Sequence, residues 1–257
     1  MQLTKEIIQE HLGDYLIKVA EKKEYIDDLL AGNLYMKESG YFRKLEDGYR
    51  GDVNDGKRPI DIGDAEAYLE NPETGERIYL NGVPWAQMSN FTMGFQGDDK
   101  IPIFCAFLMD ESVIEITGED SFRIASEYLQ ELAQFGKYIA FIPLGEMLQK
   151  LEAYNDTHPD VAFLTGKVSY VDIMKAYTPE SDDEDELGQY GAFFYKDISY
   201  SNQNEWRIVA LGRKGSSLIG EEADYWMLHL GAFQYALGMQ MVDLLNGEFH
   251  VTPSDED

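Results

Sequence analysis

The chain is expected to fold as a single α+β domain: a mixed, mostly antiparallel sheet with an N-terminal helix and flanking helices. Three observations lead there. Apolar residues make up 44% of the 257 residues and aromatics 13%, enough to bury a sizeable core at a length near the upper end for one domain. Short runs of β-branched and aromatic residues, at 101–109 and 206–211, read as buried strands, while other segments keep helical spacing. No linker composition divides the chain, so residues 1–257 read as one domain.

Residues 4–31 predict a helix. Thr4 suits its N-cap, and Ile7, Ile8, Leu12, Leu16, Val19, Ile26, Leu29 and Leu30 recur near the helical period. Gly13 is a possible bend, and Gly32 followed by Asn33 is a stop signal. Leu34–Met36 then predicts a short strand, and residues 39–45 a helical turn carrying Tyr41, Phe42 and Arg43. Residues 46–64, dominated by Gly, Asp and Asn, predict an irregular loop. A meander of short strands follows over 65–100, with a turn at Asn71–Gly75 and a hairpin signal at Asn81 and Gly82. Beyond the central strand 101–109, residues 119–135 predict a helix, Tyr138–Ile142 a strand, and Pro143 the start of another helix. Val168–Ile173 is expected to be a strand, Phe193–Tyr195 a strand or short helix, and Trp206–Leu211 a strand; residues 222–245 carry mixed patterning. Residues 178–190 are expected to form an acidic mobile loop, and 252–257 an acidic tail.

Charge restricts function. There are 48 acidic residues against 21 basic, a net charge of −27. Direct nucleic-acid binding through a broad basic patch is disfavoured, and so is an anionic membrane surface. Two uses of the surface remain: solubility through like-charge repulsion, or imitation of a nucleic acid to occupy the groove of a basic partner protein. The lone cysteine, Cys105, precludes an internal disulfide and suits a reducing, cytoplasmic setting. The N-terminal stretch is interrupted by charges, unlike a signal peptide, and no apolar run approaches the roughly 20 residues of a membrane span.

The usual nucleotide and hydrolase motifs, GxGxxG after a strand, the Walker loop and GxSxG, are absent. His11, His158, His229 and His250 lie at no metal-ligand spacing, and Asp52–Gly56 departs from a calcium loop in both its glycine and its final acid, so no metal is expected. Two stretches stand out. In the first, Tyr41–Arg43 and Arg50–Gly56 set a glycine loop between arginines. Such a loop offers N–H groups and guanidinium forks to an anion; alternatively its Asp and Asn side chains cap its own backbone. In the second, Gln203, Glu205 and Arg207 alternate, which on a strand puts all three on one face with Trp206 opposite. They are candidates for a polar site, or for a face that ends in a Glu–Arg pair.

Three pieces resemble a large uncharacterised bacterial and phage family: Arg50–Gly56 (RGDVNDG), Phe104–Phe107 (FCAF), and Lys196 with Gln203–Ile208 (QNEWRI). The resemblance covers roughly residues 30–211 and implies an α+β fold and a role in phage–host conflict. The late Gln-x-Glu is also similar to ADP-ribosyltransferases. That likeness implies Arg43 or Arg50 on the phosphates of NAD, Arg207 beside them, and Glu205 with Gln203 as the catalytic pair stabilising an oxocarbenium-like transition state. The Ser-Thr-Ser strand of those enzymes is absent; Ser169 or Ser89 is the nearest substitute. Two functions follow as expectations: an NAD- or nucleotide-recognising cleft, or a non-enzymatic acidic inhibitor of a basic partner.

Overall fold

The computed structural model describes residues 4, 8, 14–45, 55–56, 58–60, 68–71, 74–79, 91–93, 98–172, 188–213 and 216–250. They form an α+β fold whose principal sheet is antiparallel throughout. In chain order the elements are β1 (Tyr15–Ala20), α1 (Lys23–Leu30), β2 (Asn33–Glu38), α2 (Ser39–Lys44), β3 (Arg58–Ile60), β4 (Tyr68–Glu70), β5 (Arg77–Tyr79) and β6 (Phe91–Met93). Next come β7 (Pro102–Met109), β8 (Ile114–Ile116), β9 (Ser121–Ile124), α3 (Ser126–Leu132), β10 (Tyr138–Pro143), α4 (Leu144–Thr157) and β11 (Val161–Lys167). The last are β12 (Ser169–Val171), β13 (Tyr195–Asp197), β14 (Glu205–Gly212), β15 (Tyr225–His229), β16 (Leu237–Gln240), α5 (Met241–Leu245) and β17 (Phe249–His250).

The chain divides into two compact units. The first comprises residues 1–38, 101–167 and 202–257; the second comprises 39–100 and 168–201. In the first unit the main sheet runs β11-β14-β7-β1-β10-β16, and β2 joins β7 to β15. β7 is its axis. One edge pairs with β14 from Ile103 to Phe107, while the other is shared between β1 at Phe107–Met109 and β2 at Pro102 and Ile103.

Alternation of side chains across this sheet builds a core on each face. Leu16, Phe104, Ala106, Leu108, Ala140, Ile142, Trp206, Ile208 and Ala210 enter one core, covered by Ile26 and Leu29 of α1 and Met147 and Leu151 of α4. Ile17, Val19, Met109, Ile139 and Phe141 enter the other, with Tyr128, Leu129 and Leu132 of α3. Burial of a side chain such as Ile208, fully enclosed, contributes about 1.5–3 kcal/mol.

The helix expected over 4–31 is therefore corrected. Ile8 is helical, but residues 15–20 are a strand, and the helix resumes only at Lys23. Adjacent Leu16 and Ile17 are both fully buried, one in each core, as in a strand packed on both faces. Spacing that mimicked a helix arose from a strand and a helix in succession. Gly32 ends α1 at φ +85, and a Cβ there would lie 2.1 Å from the Gly231 carbonyl oxygen. The helix expected over 119–135 is likewise shorter: β9 occupies Ser121–Ile124 and pairs with β8 and β17, and α3 begins at Ser126. Phe122, buried, stacks on Phe249, its register partner on β17, at 5.1 Å.

In the second unit the expected Asn71–Gly75 turn closes the β4–β5 hairpin. The Asn71 N–H donates to the Glu76 carbonyl, the Gly75 N–H to the Asn71 carbonyl, and Gly75 adopts φ +69. β12 pairs in parallel with β13, and a 3-10 segment at Gly188–Phe194 precedes β13, so Phe193–Tyr195 spans both of its expected states. The Asn81–Gly82 signal, residues 178–187 of the acidic loop and the tail 252–257 lie outside the described residues.

Candidate functional site

β14 starts at Glu205, and what precedes it sets the site. Gln203 ends a 3-10 segment, Ile198–Gln203, and Asn204 takes φ +42 before the strand begins. Asparagine tolerates this left-handed conformation better than most residues. Its side chain also secures the turn: Nδ2 donates to the Leu108 carbonyl at 2.8 Å and to Asp110 Oδ2 at 3.3 Å, while the Leu108 N–H donates to the Asn204 carbonyl at 2.7 Å. The alternation expected for Gln203, Glu205 and Arg207 consequently holds only for the last two. The left-handed residue interrupts the extended run, and Gln203 is placed by the turn rather than by the strand.

Glu205 and Arg207 share one strand face and bond to each other. Arg207 Nε donates to Glu205 Oε1 at 2.6 Å and Nη2 to Oε2 at 3.3 Å. Both are buried, with relative exposures of 5% for Glu205 and 1% for Arg207. Arg207 lies directly opposite Gly166 on β11 and Cys105 on β7. These small neighbours leave room for a guanidinium within the sheet surface. Trp206, as expected, faces the other way into the core.

A second polar cluster stands at the end of β7. Asp110 receives Lys167 Nζ at 2.8 Å, the Ser112 N–H at 2.9 Å and the Ser112 hydroxyl. Partial burial pushes the Asp110 carboxyl up, but the hydrogen bonds from Lys167, Ser112 and Asn204 outweigh it and hold it below its ordinary value. Sequence reasoning missed Asp110, Asn204 and Lys167. The available signal was Asn204 itself, a left-handed-tolerant residue between the Gln and the Glu of the motif.

The remaining candidates lie in the second unit or outside the described residues. Arg43 on α2 forks onto Asp98, with Nη2 at 3.0 Å from Oδ1 and Nη1 at 3.1 Å from Oδ2, and it also reaches the Asp55 carbonyl at 3.4 Å. The fork thus serves a carboxylate of its own unit. Gly56, at φ +70, lies under the Phe193 ring, where a Cβ would come within 2.7 Å. Ser169 is exposed on β12 opposite Tyr195. Arg50, Ser89 and residues 51–54 lie outside the described residues. The structure brings together Glu205 and Arg207, with Gln203 next to them in sequence; Arg43 and Ser169 belong to the other unit. Among the described residues no group of three His, Cys, Asp or Glu side chains could hold a metal ion, and no helix is long and apolar enough to cross a membrane.

The arrangement permits limited chemistry. A carboxylate bonded side-on to a buried guanidinium already has its charge balanced, and its acceptor capacity toward a substrate is reduced. The pair is suited to holding β14 in place. The chain matches no family model, no curated protein and no solved structure.

Proposed function

We propose that the chain is a non-enzymatic acidic binding protein that engages the nucleic-acid-binding groove of a basic partner protein. The observation that carries this reading is the disposition of surface charge. Several described surface cations are paired with a carboxylate: Lys22 with Glu24, Lys23 with Asp27, Arg77 with Glu70, Arg123 with Glu115 and Lys137 with Glu21. At the end of α4, by contrast, Glu152, Asp156 and Asp160 are exposed, and none of them enters an ion pair among the described residues. Lys150, the lysine of that helix, sits over the Phe233 ring at 5.4 Å. Glu152 and Asp156 are one helical turn apart, a rise of about 6 Å, close to the reach of one nucleotide along an extended strand. A partner that neutralises phosphates with Lys and Arg finds comparable charges here.

The enzymatic alternative draws its support from the resemblance of Gln203-x-Glu205 to ADP-ribosyltransferases. The burial of Glu205 against Arg207 favours the binding protein over it. A role in phage–host conflict, which the broader resemblance implies, is compatible with an inhibitor of this kind.

The experiment is capture of basic proteins from a bacterial extract on the immobilised chain, followed by elution with duplex DNA. A retained nucleic-acid-binding protein that DNA displaces supports the proposal. Retention that DNA leaves unchanged would refute the proposal, and NAD cleavage by the purified chain that Glu205→Gln abolishes would replace it with the enzymatic alternative.

A further inference from the structure

The C-terminal end of α4 carries an imidazole that is held in place. His158 caps the helix, and its ring stacks on Tyr154 with centroids 3.9 Å apart and planes 7° from parallel. Its Nδ1 lies 3.1 Å from the Tyr154 carbonyl oxygen and 2.9 Å from the Thr157 hydroxyl. A carbonyl only accepts, so that contact puts the neutral ring's proton on Nδ1 and leaves Nε2 to take up a second one. Tyr154 is itself supported: its ring meets Phe163 of β11 at 5.8 Å and Trp226 of β15 at 6.4 Å, edge to face, and packs against the core. The imidazole thus rests on a fixed ring and remains exposed.

Protonation leaves this arrangement intact. Nδ1 already donates, an aromatic face attracts a cation, and a positive charge at the C-terminal end of a helix is favoured by the helix dipole. What changes is charge, at a place where charge matters. Asp156 and Asp160 are each two residues away, within about 7 Å of His158 along the backbone, and Glu152 is one helical turn before Asp156. All three are exposed carboxylates of the surface assigned to the basic partner. Of the neighbouring cations, Lys150, one turn before Tyr154, and Arg213, whose N–H donates to the Asp160 carbonyl, stay charged across the neutral range. Histidine is the side chain that changes charge between about pH 5 and 8. We infer that His158 is a pH-sensitive switch on the acidic surface: the neutral imidazole leaves Glu152, Asp156 and Asp160 at full strength, and the imidazolium offsets one of their three charges and loosens a basic partner. The inference rests on the proposed binding function and adds its regulation.

The test is the equilibrium affinity of the full chain for an arginine homopeptide, at low salt and at about pH 7.5 and about pH 5.5. Arginine keeps its charge at both, so any change belongs to the protein. One added charge about 8 Å from a bound guanidinium is worth about twofold in water, so two or three such contacts give a loss of roughly fourfold to eightfold in acid. His158→Gln should remove most of that loss, while His229→Gln, on β15, keeps it. His158→Lys, which carries a permanent charge at the same place, should bind weakly at both pH values, and melting temperatures confirm that each variant is folded. Wild-type affinity that is flat with pH overturns the inference. So does a loss that persists in His158→Gln, or a His158→Lys variant that binds like wild type at about pH 7.5. Absence of binding at the higher pH, or binding that Glu152→Lys with Asp156→Lys leaves unchanged, counts against the proposed function itself and takes this inference with it.

Discussion

Replacing Glu205 by Gln keeps the side chain's shape and removes the charge 2.6 Å from Arg207 Nε. At 5% and 1% exposure, neither group has water to replace what it loses. Breaking one side of a buried pair costs about 3–5 kcal/mol, because the remaining buried charge loses an ion-pair partner. For a chain of this size each kcal/mol shifts the melting temperature by roughly 2–4 °C, so the expected fall is roughly 6–20 °C. The double substitution Glu205→Leu with Arg207→Met removes both charges and should recover much of that loss, as buried pairs often tolerate apolar replacement. The assay is thermal and urea unfolding of the wild type, each single variant and the double variant, read as a cycle. A melting temperature unchanged in Glu205→Gln would refute the structural role assigned to the pair. A double variant less stable than either single one would show that the pair is not what the two residues contribute.

Asp110→Asn tests the cluster at the end of β7. The wild-type carboxyl is held below its ordinary value, so its contribution to stability is full above the unfolded value of about 3.8 and disappears as pH falls through the lower folded value. The urea midpoints of wild type and Asp110→Asn should differ by a constant amount near neutrality and converge in strong acid; a gap that persists there contradicts the assignment. Gly32→Ala and Gly75→Ala separate backbone strain from steric collision. Both positions have positive φ, but Gly75 has open space about it whereas a Cβ on Gly32 meets the Gly231 backbone. Gly75→Ala should cost about 1–2 kcal/mol and Gly32→Ala distinctly more by urea unfolding; equal costs would contradict the close approach of residues 32 and 231.

Much of the fold was legible where local chemistry and tertiary packing agree. The apolar run from Pro102 to Met109, the Trp206–Leu211 strand, the helix after Pro143 and the Asn71–Gly75 turn all formed as expected. Failures came where periodicity was ambiguous. Leu16, Val19, Ile26 and Leu29 keep helical spacing, yet two elements share them, and only pairing with β7 and β10 makes 15–20 a strand. The candidate site was half legible. Alternation put Glu205 and Arg207 on one face, but the turn just before them left only a weak trace, the left-handed-tolerant residue Asn204. Arg43 illustrates a second limit: its partner Asp98 is far along the chain, and long-range ion pairs leave no local trace.

The proposed function, carried by the carboxylate surface and not by Glu205, is tested by the equilibrium affinity for the captured basic partner as salt rises. Wild type should lose affinity steeply between about 50 and 200 mM salt, as phosphate-mimicking contacts do. Glu152→Lys with Asp156→Lys should reduce binding about tenfold or more, a loss of about 1.4 kcal/mol, while folded Glu205→Gln retains wild-type affinity. Affinity that is flat with salt and indifferent to Glu152 and Asp156, but lost in folded Glu205→Gln, would contradict the claim.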